Sequence, residues 1–172
     1  MNNENKSTND STKELIKKQD FSKRIIISSE KQTAELWQGG TLRKTYLIST
    51  AQNGLGCSEG SYCTPYGKLR VLSKIGDGLP MGAVLRSRVS TGEIWPNNSN
   101  DSDEDLVLTR VLWLEGVEEH NLNTQFRFIY LHGTNHESML GKAVSHGCIR
   151  FRNKDILELY DSVDVGTEVK VV

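Results

Sequence analysis

Residues 24–49 read RIIISSEKQTAELWQGGTLRKTYLIS, and this stretch decides the fold class. Three runs rich in β-branched, aromatic and leucine side chains, Arg24 to Ser28, Thr33 to Trp37 and Thr41 to Ser49, are separated by polar or glycine-rich punctuation. Such side chains suit a pleated, half-buried surface, so each run is expected as a strand. Gln38-Gly39-Gly40 is expected to turn the second strand into the third, because glycine enters the left-handed backbone that tight hairpins need. The three together predict a β-meander. Downstream, Asn53 to Gly67 is a glycine-rich loop ending in the turn Thr64-Pro65-Tyr66-Gly67, and Lys68 to Ile75 returns to strand character. Leu106 to Trp113 and Gln125 to His132 do the same. In the latter, period-two geometry places Phe126, Phe128, Tyr130 and His132 on one face and Arg127, Ile129 and Leu131 on the other. One helix is expected, after Cys148, with Asn153 as its N-cap and Ile156, Leu157, Tyr160 and Val163 at helical spacing. Thr167 to Val172 closes the chain as a strand. The class is mostly β, a sandwich or half-open barrel with one short helix after the cysteine.

At 172 residues the chain suits one domain. Residues 1–22 are polar and read as a disordered tail with a short helix around Lys13 to Lys18, leaving 23–172 as the folded unit. With 21 basic and 22 acidic side chains the net charge is -1, so no broad positive field exists to hold a nucleic acid. The longest apolar runs, such as Leu106 to Leu114, are broken by Thr109 and Arg110 and fall short of the roughly 20 residues that cross a bilayer. The first twenty residues lack the apolar core of about 7 to 15 residues that marks a secretory signal. As written, the chain is therefore expected in the cytoplasm, or in the periplasm if a native leader has been replaced. Asn97 to Asp105 (NNSNDSDED) reads as a solvated surface loop, since it lacks the glycine and terminal glutamate of a calcium-binding loop.

The chemistry concentrates in His132-Gly133-Thr134 and Ser145-His146-Gly147-Cys148-Ile149-Arg150. Three cysteines are an odd number, so even a Cys57–Cys63 pair leaves Cys148 as a free thiol. A thiol is a useful nucleophile near neutral pH when a neighbouring base or cation lowers its pKa, and histidine is the usual partner. His146 stands only two positions from Cys148, where its ring need not meet the sulfur. His132, arriving from a neighbouring strand, is assigned the base, and His146 the fixing of the loop or contact with substrate. Gly147 lets the backbone run close to a carbonyl, so the amides of Gly147 and Cys148 are expected to form an oxyanion hole. Arg150 offers a planar fork suited to a substrate carboxylate. Ser145, Gly133 and Thr134 are expected to line the substrate site, and the dipole of the helix at Asn153 to favour an anion nearby.

Taken singly, a buried cysteine is usually an inert small hydrophobe and a strand-end histidine a packing residue. Ser-His-Gly-Cys-Ile-Arg is a poor core sequence, however, and the cluster favours chemistry. A zinc site drawn from Cys148, His132, His136 and His146 lacks the paired ligand spacing of such centres, so neither metal nor cofactor is expected. His120 and His136 are read as surface histidines.

These motifs resemble the catalytic signature of the L,D-transpeptidase family (YkuD domain). The likeness extends through Ile25 to Ser49, the Thr64-Pro65-Tyr66-Gly67 turn and Thr91-Gly92-Glu93-Ile94-Trp95, about Arg24 to Val172 in all. The resemblance implies a β-rich fold with the cysteine in a groove. It also implies a thioester at Cys148 on the L-centre of a diaminopimelate residue of a peptidoglycan stem peptide, with loss of D-alanine. Members that lack an export signal resemble L,D-carboxypeptidases of muropeptide recycling, so water is the expected acceptor and a tetrapeptide stem is trimmed to a tripeptide; the alternative is an exported L,D-transpeptidase that forms cross-links or exchanges D-amino acids. A non-catalytic peptidoglycan-binding module is the remaining reading. A monomer is expected.

Overall fold

The computed structural model of the chain describes residues 22–96 and 104–172. The polar tail up to residue 21, including the short helix expected around Lys13 to Lys18, and residues 97–103 of the acidic loop lie outside the described residues. Ten strands are present among those described: β1 (Lys23–Ser28), β2 (Thr33–Gln38), β3 (Thr41–Ser49), β4 (Gly67–Ile75), β5 (Ala83–Arg86), β6 (Val89–Ile94), β7 (Val107–Gly116), β8 (Tyr130–Gly133), β9 (Ile149–Phe151) and β10 (Glu168–Val171). A single α-helix, α1 (Asn153–Ser162), lies between β9 and β10. The meander forms as expected, with Gly39 and Gly40 at φ 57° and 74° making the β2–β3 turn.

The strand order β4-β10-β1-β2-β3-β9-β8-β7 is closed by pairing of β7 with β4, so the half-open barrel anticipated from sequence is a closed ring. Closure pairs the edges of β4 and β7, and the β5–β6 hairpin branches from β7, with β6 as the remaining edge strand among those described. Alternation fills the interior: Ile25, Ile27, Leu36, Tyr46, Ile48, Leu69, Val71, Leu112, Leu114, Leu131, Ile149, Phe151, Val169 and Val171 are buried in one cluster. Helix α1 adds Ile156, Leu159 and Tyr160 to that cluster while packing against β7 and β8.

Three local expectations change. Gln125 to His132 is a strand only from Tyr130; Thr124–Arg127 is a 3-10 turn ended by Phe128 at φ 55°. The reason is lateral wiring. Arg127 donates to Gly56 O, Ser61 Oγ and Cys63 O at 3.1, 3.2 and 2.7 Å, and Trp113 Nε1 of β7 donates to Gln125 O at 3.2 Å, so side-chain bonds to the 53–64 loop and to β7 replace a backbone ladder here. Strand alternation does hold where the ladder forms, with Leu131 in the core and Tyr130 and His132 on the other face. Second, β5 and β6 form a hairpin that no alternation announces, because Ala83, Val84 and Leu85 are buried consecutively while β6 is largely exposed. Third, Asn153 is the first helical residue and makes no cap bond. Its side chain reaches outward instead, accepting from Thr109 Oγ1 at 2.6 Å and donating to Thr134 O and Glu137 Oε1 at 2.8 Å each.

Gly133 is where β8, β7 and the start of α1 converge. A Cβ there would stand 2.7 Å from Leu108 O and closer still to Asn153 Oδ1, neither of which can withdraw without losing a hydrogen bond. Gly133→Ala is therefore expected to destabilise the fold by about 1–3 kcal/mol, the usual range for overpacking. Chemical denaturation measures this, and an unchanged midpoint would mean that the helix start can shift away from β8.

Candidate active site

Strands β8 and β9 run parallel, with Leu131 opposite Ile149, His132 opposite Arg150 and Gly133 opposite Phe151. Ile149, Phe151 and Leu131 point into the core, so alternation turns Cys148, Arg150, Tyr130 and His132 to the outer face. Cys148, one residue before β9, falls beside Tyr130. Its sulfur accepts the Tyr130 N–H at 3.4 Å, and its thiol donates to Phe128 O at 3.4 Å. His132, two residues along the same strand, is buried, and its Nδ1 lies 2.7 Å from Gly133 O. A carbonyl oxygen only accepts, so Nδ1 carries the proton and Nε2 is left with a lone pair.

Burial dominates both ionisations. It holds the His132 imidazole below the ordinary histidine value, with Arg150 adding in the same direction, and it pushes the Cys148 thiol up to about 11. The Tyr130 N–H and the cations Arg150 and Arg127 pull the thiol back only in part. The sequence reading expected a depressed thiol pKa; the resting pair is instead a neutral thiol beside a neutral base. Desolvation of the sulfur outweighs its cationic neighbours.

The expected accessory residues fall into two groups. Ser145 Oγ donates to Cys148 O at 2.5 Å and accepts the Gly147 N–H at 3.3 Å, so it shapes the turn that carries the cysteine. Gly147 sits at φ 130°, a backbone that suits glycine, with its oxygen accepting from Thr64 Oγ1 at 3.0 Å and tight approaches of 3.3 and 3.4 Å awaiting a Cβ from Ile129 Cδ1 and Cys63 O. Gly133 and Thr134 are buried, and Thr134 spends its carbonyl on Asn153 and its hydroxyl on the His136 N–H at 3.0 Å. These four residues build the wall. His146 is exposed over 72 % of its side chain, with Nδ1 3.7 Å from Asp105 and its ring edge-on to Tyr62.

Arg150 is buried, and its guanidinium is bound to Asp105 at 2.5 Å rather than open to a ligand. Asp105 also approaches His136 Nδ1 at 4.0 Å, so His136, read as a surface residue, is mostly enclosed at 16 % side-chain exposure. Asp105 closes an acidic run that reads as solvent-facing, and this carboxylate is the group that sequence reasoning missed. Only its partner 45 residues away distinguishes it from its neighbours. The start of α1 does not address the sulfur: Glu137 Oε1 accepts the Asn153 N–H at 2.7 Å, occupying that end of the helix. All three cysteines are free, and Cys63 donates to Asn53 O at 3.3 Å. His120 stacks on Tyr66 at 4.8 Å between centroids. Among the described residues no three His, Cys, Asp or Glu side chains are grouped to hold a metal ion.

The L,D-transpeptidase catalytic-domain model matches residues 22–171. A Bacillus licheniformis protein, "Putative L,D-transpeptidase YkuD", is 56% identical over 41 residues, which are 24% of this chain and 25% of that protein. The Escherichia coli "Probable L,D-transpeptidase ErfK/SrfK" is 50% identical over 46 residues, 27% of this chain and 15% of its own length. These matches span a quarter or less of the relatives' lengths. Among solved structures, L,D-transpeptidase 3 from Mycobacterium tuberculosis in complex with a faropenem-derived adduct superposes with TM-score 0.57 at 21% identity, covering 87% of this chain and 60% of that one. That likeness is one of fold.

The opposite shifts at His132 and Cys148 bound the stability window. The unfolded chain takes up a proton at His132 below about its ordinary 6.5 while the folded chain resists, so stability falls as pH drops below that value. At Cys148 the unfolded chain loses its proton from about 9.0 while the folded chain keeps it to about 11, so stability falls across that interval. The Tm of wild type relative to that of Cys148→Ala should therefore fall as pH rises from about 9.0 to about 11. A difference in Tm that does not vary over this range would contradict the raised thiol pKa.

Proposed function

This chain belongs to the L,D-transpeptidase catalytic-domain family, and from that premise we propose that it is a cysteine acyltransferase of peptidoglycan stem peptides, with Cys148 as nucleophile and His132 as base. The observation that carries the reading is the pair itself. A thiol held by the Tyr130 N–H lies on the same face as an imidazole whose Nδ1 is committed to Gly133 O. That commitment leaves Nε2 to receive a proton.

The steps follow from this arrangement. Nε2 takes the thiol proton as the sulfur attacks the carbonyl carbon at the L-centre of a diaminopimelate residue, forming an S–C bond and a tetrahedral oxyanion. The oxyanion is assigned to backbone N–H groups of the Gly147–Cys148 turn. The Gly147 amide gives up only a long 3.3 Å bond to Ser145 to join it. A donor of this kind contributes about 2.7–4 kcal/mol in acyl-transfer enzymes. The C–N bond then breaks, the imidazolium returns its proton to the departing D-alanine amine, and a thioester remains. Water, deprotonated by Nε2, attacks the thioester and releases the shortened stem, and the thiol recovers its proton. Water is placed first as acceptor because it needs no second peptide site; an amine from another stem would give a cross-link through the same thioester. Because the thiol rests neutral, proton transfer to His132 accompanies attack rather than preceding it.

Cys148→Ala should abolish turnover of a disaccharide tetrapeptide, a loss of at least about a thousandfold for a missing nucleophile, with a far-ultraviolet spectrum like that of wild type. Product masses separate the acceptors: a tripeptide stem means water, and a joined or exchanged stem means an amine. Wild type incubated with a carbapenem should gain the mass of one lactam, and Cys148→Ala should not. Turnover by the alanine variant would remove Cys148 from the mechanism.

A further inference from the structure

The groove at Cys148 must receive a substrate rich in carboxylates if the reading above holds, and Arg150 is not free to bind one. Arg150 and Arg127 lie close enough to act on the charge of the sulfur, and Arg88 reaches the site through Tyr130. Arg150 is buried and neutralised by Asp105. Arg127 is spent on Gly56 O, Ser61 Oγ and Cys63 O. Arg88 is different. It is half-buried, its NH1 donates to Tyr130 Oη at 3.0 Å, and it forms no ion pair among the described residues. Its guanidinium carbon lies 4.7 Å from the Trp113 ring centre and 5.1 Å from that of Phe128. Phe128 and Tyr130 are also the residues whose backbone groups hold the Cys148 sulfur. Arg88 and the Cys148 thiol therefore share one support.

The backbone at Arg88 is unusual in a way that sequence patterning does not explain. The register Leu85 to Ser90 and Arg86 to Val89 makes Ser87-Arg88 a two-residue hairpin turn between β5 and β6. Both residues have positive φ, 47° and 68°. Turns of this kind favour Asn-Gly, and an arginine there is strained. The side chain at this position is thus held at a cost in turn stability, and it is folded back from the hairpin tip onto the aromatic rings beside the sulfur. The Trp113 and Phe128 rings and the Tyr130 hydroxyl hold the guanidinium in place, and a guanidinium carries further N–H groups whose fork suits a carboxylate.

We propose that Arg88, and not Arg150, is the receptor for a substrate carboxylate, and that it is a specificity-determining residue reading a free carboxylate on the donor stem. This rests on the functional reading above. Two carboxylates of that stem share the chemistry: the one on the side chain of the diaminopimelate residue and the terminal one of D-alanine. Amidation of either removes the anion while leaving the peptide otherwise intact.

The test compares wild type, Arg88→Gln and Arg88→Lys on three disaccharide tetrapeptides: one with free carboxylates, one amidated on diaminopimelate and one ending in D-alanine amide. On the free substrate Arg88→Gln should lower kcat/KM about tenfold or more, chiefly through KM, with Arg88→Lys intermediate, as expected for a charge-assisted contact. The penalty should vanish on one of the two amidated stems, which identifies the carboxylate that is read. Carbapenem acylation of Cys148 in Arg88→Gln serves as the check that the nucleophile is intact. An equal loss on all three stems, or none on the free one, overturns the proposal while leaving the functional reading in place. A wild type inactive on all three overturns both.

Discussion

The parallel ladder between β8 and β9 is the constraint on which the site depends. Parallel neighbours need a long crossover, and here residues 134–148 supply it without a regular helix. That crossover is pinned along its length by the end of β3 and the residues after it. Gly141 N–H donates to Ile48 O at 2.8 Å, Ser49 Oγ to Lys142 O at 2.6 Å and Ser145 N–H to Thr50 O at 2.9 Å, while Ser145 O accepts the Gln52 N–H at 3.0 Å. The β1–β3 meander is thus also the jig that sets the register of Cys148 against Tyr130. A slip of one residue would turn His132 and Arg150 into the apolar core and Leu131 and Ile149 out of it. The buried cluster makes that exchange prohibitive, so the hydrophobic pattern enforces the catalytic geometry.

The charges are arranged around a neutral pair. A buried guanidinium beside His132 would be costly alone, and Asp105 offsets it in a bond shared out toward His136 and His146. The imidazole feels both members of that ion pair in opposite senses, so burial decides its protonation state. A neutral base with a fixed tautomer and a neutral thiol form a pair that exchanges one proton with little change in charge until substrate arrives. Beside the pair, the Gly147–Cys148 turn presents backbone amides, and Arg88 at the β5–β6 hairpin tip is a cation with no ion-pair partner among the described residues.

Legibility in the sequence followed the range of the interactions. β1 to β3 were readable because alternation and a Gly-Gly turn are local. His132 and Cys148 were readable because residue type and motif spacing carry the chemistry. Phe128 was misread, since its left-handed backbone follows from the bonds Arg127 makes to a loop more than 60 residues earlier. Asn153 looked like a helix cap and acts as a tie between β7, β8 and the 137 turn. Arg150 looked like a carboxylate receptor until its own carboxylate partner was located. Asp105 and Arg88 gave no local signal at all: one sits in an acidic run, the other in a turn, and each becomes legible only through what the barrel brings against it.

The central claim is that Cys148 and His132 rest as a neutral thiol and an Nδ1–H imidazole. Nitrogen-15 NMR of the His132 ring in the free enzyme near neutral pH reads this directly. A pyrrole-like Nδ1 and a pyridine-like Nε2, unchanged in Cys148→Ala, is the predicted spectrum. Two protonated nitrogens that revert to the neutral form in Cys148→Ala would mean a resting thiolate–imidazolium pair and would contradict the account.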